Sequence, residues 1–111
     1  MLYYLLGRTH FLKNLIFGGK KTVSVELLDF YADWCGPCKV MEPLIEEIKN
    51  EMGEKIQVKK IDVDSDNDTA MQFGVMSIPT FIVLKDGKEV DRAVGSQPKD
   101  SIVSKITAHL S

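Results

Sequence analysis

Residues 23–31 constrain the fold of this 111-residue chain more than any other segment. The nine residues are rich in valine, leucine and aromatic side chains, a composition that is typical of a β-strand covered on both of its faces. Such a strand needs neighbouring strands at its edges and further elements packed above and below it. The segment therefore predicts an α/β protein built around a buried central strand.

The hydrophobic period changes repeatedly along the rest of the chain, as it does when strands and helices alternate. Strands are predicted at residues 2–6, 56–63, 80–84 and 88–94, the last two being joined by a hairpin turn at Asp86 and Gly87. Helices are predicted at 9–16, from Cys38 to an end at Gly53, at 66–73, and after Pro98. The helix that begins at Cys38 has an apolar face formed by Val40, Met41, Leu44, Ile45, Ile48 and Met52. The predicted element order is βαβαβαββα.

Length and charge exclude several classes of protein. A chain of 111 residues is expected to form a single domain, 1–111. Fourteen basic and sixteen acidic residues give a formal charge of −2, so no nucleic-acid partner is expected. The apolar start, residues 1–6, is far shorter than the roughly 20 residues of a membrane span. It also lacks the features of a signal peptide, so we expect a cytoplasmic protein without a membrane anchor.

The two cysteines are the residues most informative about chemistry. The segment from Trp34 to Cys38 joins the end of the apolar strand to the start of a helix, which places Cys35 at the helix N-terminus and Cys38 one turn inside. The helix dipole and unpaired amides favour an anion there by about 0.3 to 2 kcal/mol. This lowers the pKa of a thiol by roughly one unit, and Cys35 is the predicted nucleophile.

A disulfide between the two cysteines would contribute little to stability. Residues three apart on a helical turn are close enough to bond, but the loop encloses four residues, and the loop-entropy formula then gives about 2 kcal/mol. A disulfide that stabilises the fold so little, and that has one exposed sulfur, is more typical of a reversible redox couple than of a structural cross-link. The spacer Gly36 and Pro37 adds no cation or imidazole to stabilise the thiolate, which favours a reductant over a strong oxidant.

Metal sites are the alternative interpretation of these residues. Zinc needs four ligands, and only His10 and His109, from opposite ends of the chain, could complete a site with the two cysteines. The acidic run 62–68 is similar to a calcium loop, but Asn67 stands where the turn glycine is required and Phe73 where the bidentate glutamate is required. We therefore expect no metal.

Residues 29–39, with the sequence DFYADWCGPCK, closely resemble the active-site segment of the thioredoxin family. Matching positions continue along the chain at Pro43, Lys60, 78–80, Asp86-Gly87 and Gly95. The resemblance implies a thioredoxin fold, in which a central mixed five-stranded sheet is flanked by four helices. It implies protein-disulfide reduction as the activity.

The same resemblance implies roles for individual residues. Cys35 attacks the target disulfide and Cys38 resolves the mixed disulfide, while Asp29 accepts the proton of Cys38 and Lys60 modulates the pKa of Asp29. A cis Pro79 brings the Ile78 backbone alongside the sulfurs, where an extended substrate can pair with it. The implied substrate-binding residues form a flat apolar surface: Trp34, Gly36, Pro37, Val63, Ile78, Val94 and Gly95.

The implied redox group is the Cys35–Cys38 disulfide, with no bound cofactor. NADPH and FAD act only through a partner thioredoxin reductase, and the other partners are proteins with target disulfides. A monomer is expected. The chain departs from the family pattern at Tyr31 and Ser77, and at Glu26, a position that is usually apolar and for which Lys20, Lys21 or Lys59 is an expected partner.

Two other functions are compatible with the same residues. A thioredoxin-like binding subunit would use the apolar surface alone, and its partner affinity would survive loss of both cysteines. An oxidase or isomerase would have a less reducing couple, which a glutathione titration would detect.

Overall fold

The structure is a computed structural model that describes residues 23–110. The predicted first strand, 2–6, and first helix, 9–16, lie outside the described residues. The described part contains four strands and three α-helices, where the prediction for the whole chain was five strands and four helices.

The described elements follow the predicted order β-α-β-α-β-β-α. The strands are β1 (Val25–Tyr31), β2 (Gln57–Asp62), β3 (Thr80–Lys85) and β4 (Lys88–Val94), and the helices are α1 (Gly36–Met52), α2 (Asn67–Gln72) and α3 (Lys99–Thr107), with a 3₁₀ turn at Gly53–Lys55 after α1. The hairpin turn predicted at Asp86 and Gly87 is present, and both residues have positive φ, 51° and 83°, as a tight two-residue hairpin requires.

The described strands form one mixed sheet in the order β2-β1-β3-β4. β1 pairs with β2 in parallel and with β3 antiparallel, and β3 pairs with β4 antiparallel. The central position predicted for the apolar segment 23–31 is therefore confirmed. In this register Asp29 lies opposite Lys60 on one side and Phe81 on the other.

Alternate residues of β1 pack into two different apolar clusters, one on each face of the sheet. Val25 and Leu27 face α1 and α3, in a core that includes Met41, Ile45, Ile48, Ile102 and Ile106. Leu28 and Phe30 face the opposite side, in a core that includes Ala70, Ile82 and Leu84. Asp29 continues the alternation of Val25 and Leu27, so it points to the α1 side of the sheet.

The structure contradicts one sequence expectation and confirms part of another. Val40 is 65% exposed, so its assignment to the buried face of α1 was wrong. It immediately precedes buried Met41 on the helix, and its direction, about 100° away, points to solvent. Glu26 lies 3.5 Å from Lys59, which confirms one of its three expected partners.

Among residues 23–110, no helix combines the length and apolar character that crossing a membrane requires.

Candidate active site

Cys35 and Cys38 form a disulfide at the junction of the β1–α1 loop and helix α1. Cys35 is the N-cap residue of α1, and its sulfur accepts a hydrogen bond from the Cys38 backbone N–H at 3.1 Å. The Cα atoms are 5.2 Å apart, within the range of unforced disulfides. The placement predicted from the sequence, with Cys35 at the helix N-terminus and Cys38 one turn inside, is confirmed.

Both cysteines are more buried than the sequence suggested. Cys35 is 4% and Cys38 8% exposed, so the expectation of one exposed sulfur was wrong for this oxidised state. The sulfur of Cys35 turns back over the first helical turn, and both residues pack with Ala32 against the partly buried Val63 and Ile78. The neighbouring Trp34, Gly36 and Pro37 are exposed, so the disulfide lies directly beneath accessible surface.

Asp29 lies in a cleft that is also lined by Cys38. The cleft has about 60 Å³ of room for water and is lined by Asp29, Tyr31, Ala32, Asp33, Cys38, Lys39, Glu42 and Lys60. Asp29 is 5% exposed. Burial raises the pKa of its carboxyl from 3.8 to about 6, against an opposing effect of the Lys60 charge and with a smaller contribution from Glu42. The carboxyl therefore titrates close to neutral pH.

Lys60 reaches the mouth of the same cleft from β2. Its ammonium is 3.0 Å from a carboxylate oxygen of Glu42 and 4.9 Å from the ring centroid of Tyr31. Burial lowers the pKa of Lys60, but the hydrogen bond to Glu42 and the charges of Glu42 and Asp29 outweigh it and raise that pKa above its ordinary value. Lys60 is therefore charged wherever Asp29 titrates.

The loop before β3 lies beside the cysteines. The Ile78–Pro79 peptide bond is cis, as the resemblance implied, and Ile78 packs against the cysteine cluster. The Gly95 N–H donates to the Pro79 carbonyl at 2.8 Å, and the Thr80 hydroxyl donates to the Ser77 carbonyl at 2.7 Å. The first bond holds the loop against the residue that follows β4, and the second closes the loop on itself.

Exposed apolar side chains occur near the loops that carry the disulfide. Trp34 is 69% and Val94 54% exposed, while Val63, Ile78 and Gly95 are partly buried. The Trp34 indole N–H donates to Asp64 at 2.8 Å. Met76, two residues before Ile78, is 93% exposed. Exposed apolar side chains that form a contiguous patch mark protein-binding sites.

Sequence reasoning missed Glu42, Asp64 and Met76. Glu42 follows Cys38 by four residues on α1, so helical spacing alone places the two side chains on the same side of the helix. The metal alternative gains no support: among residues 23–110, no three histidine, cysteine or acidic side chains are grouped to hold a metal ion. His109 contacts Asp91 at 3.9 Å, and His10 lies outside the described residues.

Comparison with known proteins identifies relatives along most of the chain. A family model described as Thioredoxin matches residues 12–108. A thioredoxin of Bacillus subtilis is 48% identical over 94 residues, which are 85% of this chain and 90% of the relative. A thioredoxin of Staphylococcus saprophyticus is 50% identical over 87 residues, 78% of this chain and 84% of the relative.

Solved structures show the same similarity. A mutant thioredoxin from Halobacterium salinarum has a TM-score of 0.75 at 38% identity, covering 80% of this chain and 77% of the other. Fasciola hepatica thioredoxin has a TM-score of 0.73 at 38% identity, covering 88% of this chain and 90% of the other. The similarity thus extends from sequence to fold.

Proposed function

The chain belongs to the thioredoxin family, and from that premise we propose how its residues divide the work of dithiol–disulfide exchange. Its activity is the reduction of disulfides in other proteins, and its redox group is the Cys35–Cys38 disulfide. The proposal depends chiefly on the position of that pair, with Cys35 capping α1 and Cys38 one turn further along.

Cys35 is the nucleophile of the reduced protein. Its thiolate attacks one sulfur of the target disulfide and forms a mixed disulfide, while the other target sulfur leaves as a thiolate and takes a proton from solvent. The helix N-terminus favours the anionic form of Cys35, because backbone amides of the first turn point at its sulfur. The Cys38 amide already makes this contact in the oxidised protein.

Cys38 completes the exchange. Its thiolate attacks the Cys35 sulfur and the internal disulfide forms. The second target sulfur then leaves as a thiolate, so the target disulfide has gained two electrons in total. Cys38 must first lose its proton, and Asp29, which lines the same cleft and has a pKa of about 6, accepts it through water. Lys60 modulates the basicity of Asp29.

The surface around the disulfide binds the target. The residues of this surface present apolar or small groups from the loops and from the ends of α1 and β4: Trp34, Gly36, Pro37, Val63, Ile78, Val94 and Gly95. The backbone beside Pro79 offers an extended target segment the chance to pair as an added strand. Contacts of this kind depend little on target sequence, which suits a reductant that serves many proteins.

Insulin reduction with dithiothreitol tests the assignment. We expect no activity above the uncatalysed rate in Cys35→Ser, and we expect Cys38→Ser to accumulate a mixed disulfide with insulin that is visible on a non-reducing gel. Unchanged activity in Cys35→Ser would contradict the assignment. An exposed residue about two turns beyond Cys38 on α1, as in Glu46→Gln, serves as the matched control.

The recycling partner is a thioredoxin reductase that delivers electrons from NADPH through FAD. The resemblance of the redox segment to the family supports this choice. Loss of NADPH absorbance at 340 nm in a mixture of reductase, insulin and this protein tests it. Reduction of the Cys35–Cys38 disulfide by glutathione and not by the reductase would contradict this choice of partner.

The chain works as one domain, 1–111, as a monomer in the cytoplasm. A single family model over residues 12–108 supports one domain, and a reductant functions where other thiols are kept reduced. The exposed apolar residues around the disulfide are needed for targets, which favours a monomer. Light scattering after size exclusion and cell fractionation test the last two assignments.

A further inference from the structure

The cleft beside Asp29 contains charged groups from every element packed around it. Strand β1 contributes Asp29 and Tyr31, the loop before α1 contributes Asp33, α1 contributes Cys38, Lys39 and Glu42, and β2 contributes Lys60. The two positive charges therefore face three carboxylates. The electrostatic environment of the buried carboxylate, Asp29, depends on which carboxylate each cation pairs with.

The structure shows Lys60 paired with Glu42 and not with Asp29. The ammonium of Lys60 is 3.0 Å from Glu42, whereas no ion pair within 4 Å joins it to Asp29 in the described part of the chain. Strand pairing nevertheless places Lys60 directly opposite Asp29, on the neighbouring strand. The lysine is close enough to influence Asp29 and is held by another acid.

The Tyr31 ring limits where the ammonium can go. Lys60 lies 4.9 Å from the ring centroid, so its charge is placed between an aromatic face and a carboxylate at the outer part of the cleft. The side chains of Lys60 and Glu42 are 37% and 55% exposed, which shows that this pair is at the cleft mouth while Asp29 is buried below it.

We propose that Glu42 is a positioning residue that holds the Lys60 ammonium at the mouth of the cleft and away from the Asp29 carboxylate, so that Asp29 remains a base for Cys38. This inference rests on the proposed function, since it concerns the same proton transfer. Nothing in the family motif identified Glu42, and its contact with Lys60 is known only from the structure.

Two effects of Glu42 have the same sign. Its negative charge directly favours protonated Asp29, and its ion pair prevents Lys60 from approaching Asp29 and favouring the ionised form. Each effect raises the pKa of Asp29, in agreement with the direction found for Glu42 there. Removing the Glu42 charge must therefore make Asp29 a weaker base.

The test follows the titration of Asp29 by carbon NMR in oxidised protein, in Glu42→Gln and in the control Glu46→Gln. Glu46 is an exposed acid one turn further along α1, with no ion pair in the described residues. We expect the Asp29 midpoint to fall by about half a pH unit in Glu42→Gln, the effect of one charge a few ångströms away in a solvated cleft. The control should move it by about 0.1 unit or less.

A second pair of variants isolates the role of Lys60. In a Lys60→Met background there is no ammonium to hold, so Glu42→Gln should shift the Asp29 midpoint by no more than about half as much as it does with Lys60 present. An unchanged or raised midpoint in Glu42→Gln would overturn the proposal, and so would a full shift in the Lys60→Met background.

The rate at which Cys38 resolves a mixed disulfide, measured against pH, separates this inference from the proposed function. If both hold, the acid limb of that profile shifts to lower pH together with the NMR midpoint. If the midpoint shifts and the rate profile does not, Glu42 positions Lys60 as proposed and the role of Asp29 as the base for Cys38 is refuted.

Discussion

The replacement Asp29→Asn should stabilise the oxidised protein at neutral pH. Asp29 is 5% exposed, and burial raises its pKa from 3.8 to about 6. Between these two values the folded protein holds a proton that the unfolded chain has lost, so the free energy of unfolding falls as pH rises through this window. The Asn amide is similar in shape and carries no charge, so the variant lacks this pH dependence.

The pKa values set the size of the effect. The folded value of about 6 lies roughly two units above 3.8, and each unit corresponds to 1.36 kcal/mol. Ionisation of Asp29 therefore lowers the stability of the fold by about 3 kcal/mol at pH 7 and by about 0.5 kcal/mol at pH 4. The difference between variant and wild type should increase from about 0.5 kcal/mol at pH 4 to about 3 kcal/mol near pH 7.

Urea denaturation of the oxidised proteins, followed by circular dichroism at half-unit steps from pH 4 to pH 8, measures this difference. With the disulfide intact neither cysteine titrates, so Asp29 is the group that changes most in the cleft. Asp33→Asn, an exposed acid lining the same cleft, is the control and should change stability by less than about 0.5 kcal/mol. A difference for Asp29→Asn that is independent of pH would refute the reasoning.

Three further variants test the packing and the turns. Ile48→Ala removes a fully buried side chain on the inner face of α1 and should reduce the free energy of unfolding by about 2 to 5 kcal/mol in urea denaturation. A loss below about 1 kcal/mol would contradict its burial. Gly87→Ala places a Cβ at φ 83° and should cost about 1 kcal/mol by the same measurement, although no atom lies within 4 Å of that Cβ; a neutral result would contradict the turn geometry. Asp64→Ala removes the acceptor of the Trp34 indole N–H and should change the emission of this single tryptophan while altering stability by less than about 0.5 kcal/mol; an unchanged spectrum would show that the bond is not populated in solution.

Local sequence patterns predicted most of the fold because the elements are consistent with their own composition. The apolar run of β1, the Gly53 end of α1 and the Asp86-Gly87 turn each carry a strong local signal. Val40 was misplaced because an apolar residue next to the buried face of a helix cannot be distinguished, by hydrophobicity alone, from one on that face.

The site was predictable in its covalent chemistry and less so in its electrostatics. The cysteine spacing and the strand-to-helix junction specify the positions of Cys35 and Cys38 from sequence. The pairing of Lys60 with Glu42 depends on how β2 lies beside α1, which sequence spacing of 18 residues does not encode. The burial of both sulfurs likewise depends on Val63 and Ile78, which reach the site from other segments.

In the described part of the chain, strand β4 lies at one end of the sheet and pairs with β3 along one of its two edges. Four of its seven residues, Lys88, Glu89, Asp91 and Arg92, are charged, and its pairing with β3 is irregular at Val83/Leu84. A strand from another molecule that joined the other edge of β4 would bring charges of both signs into a poorly matched ladder, so the edge resists intermolecular sheet growth. The charges along β4 therefore disfavour fibril formation through this edge in a protein that displays apolar side chains elsewhere.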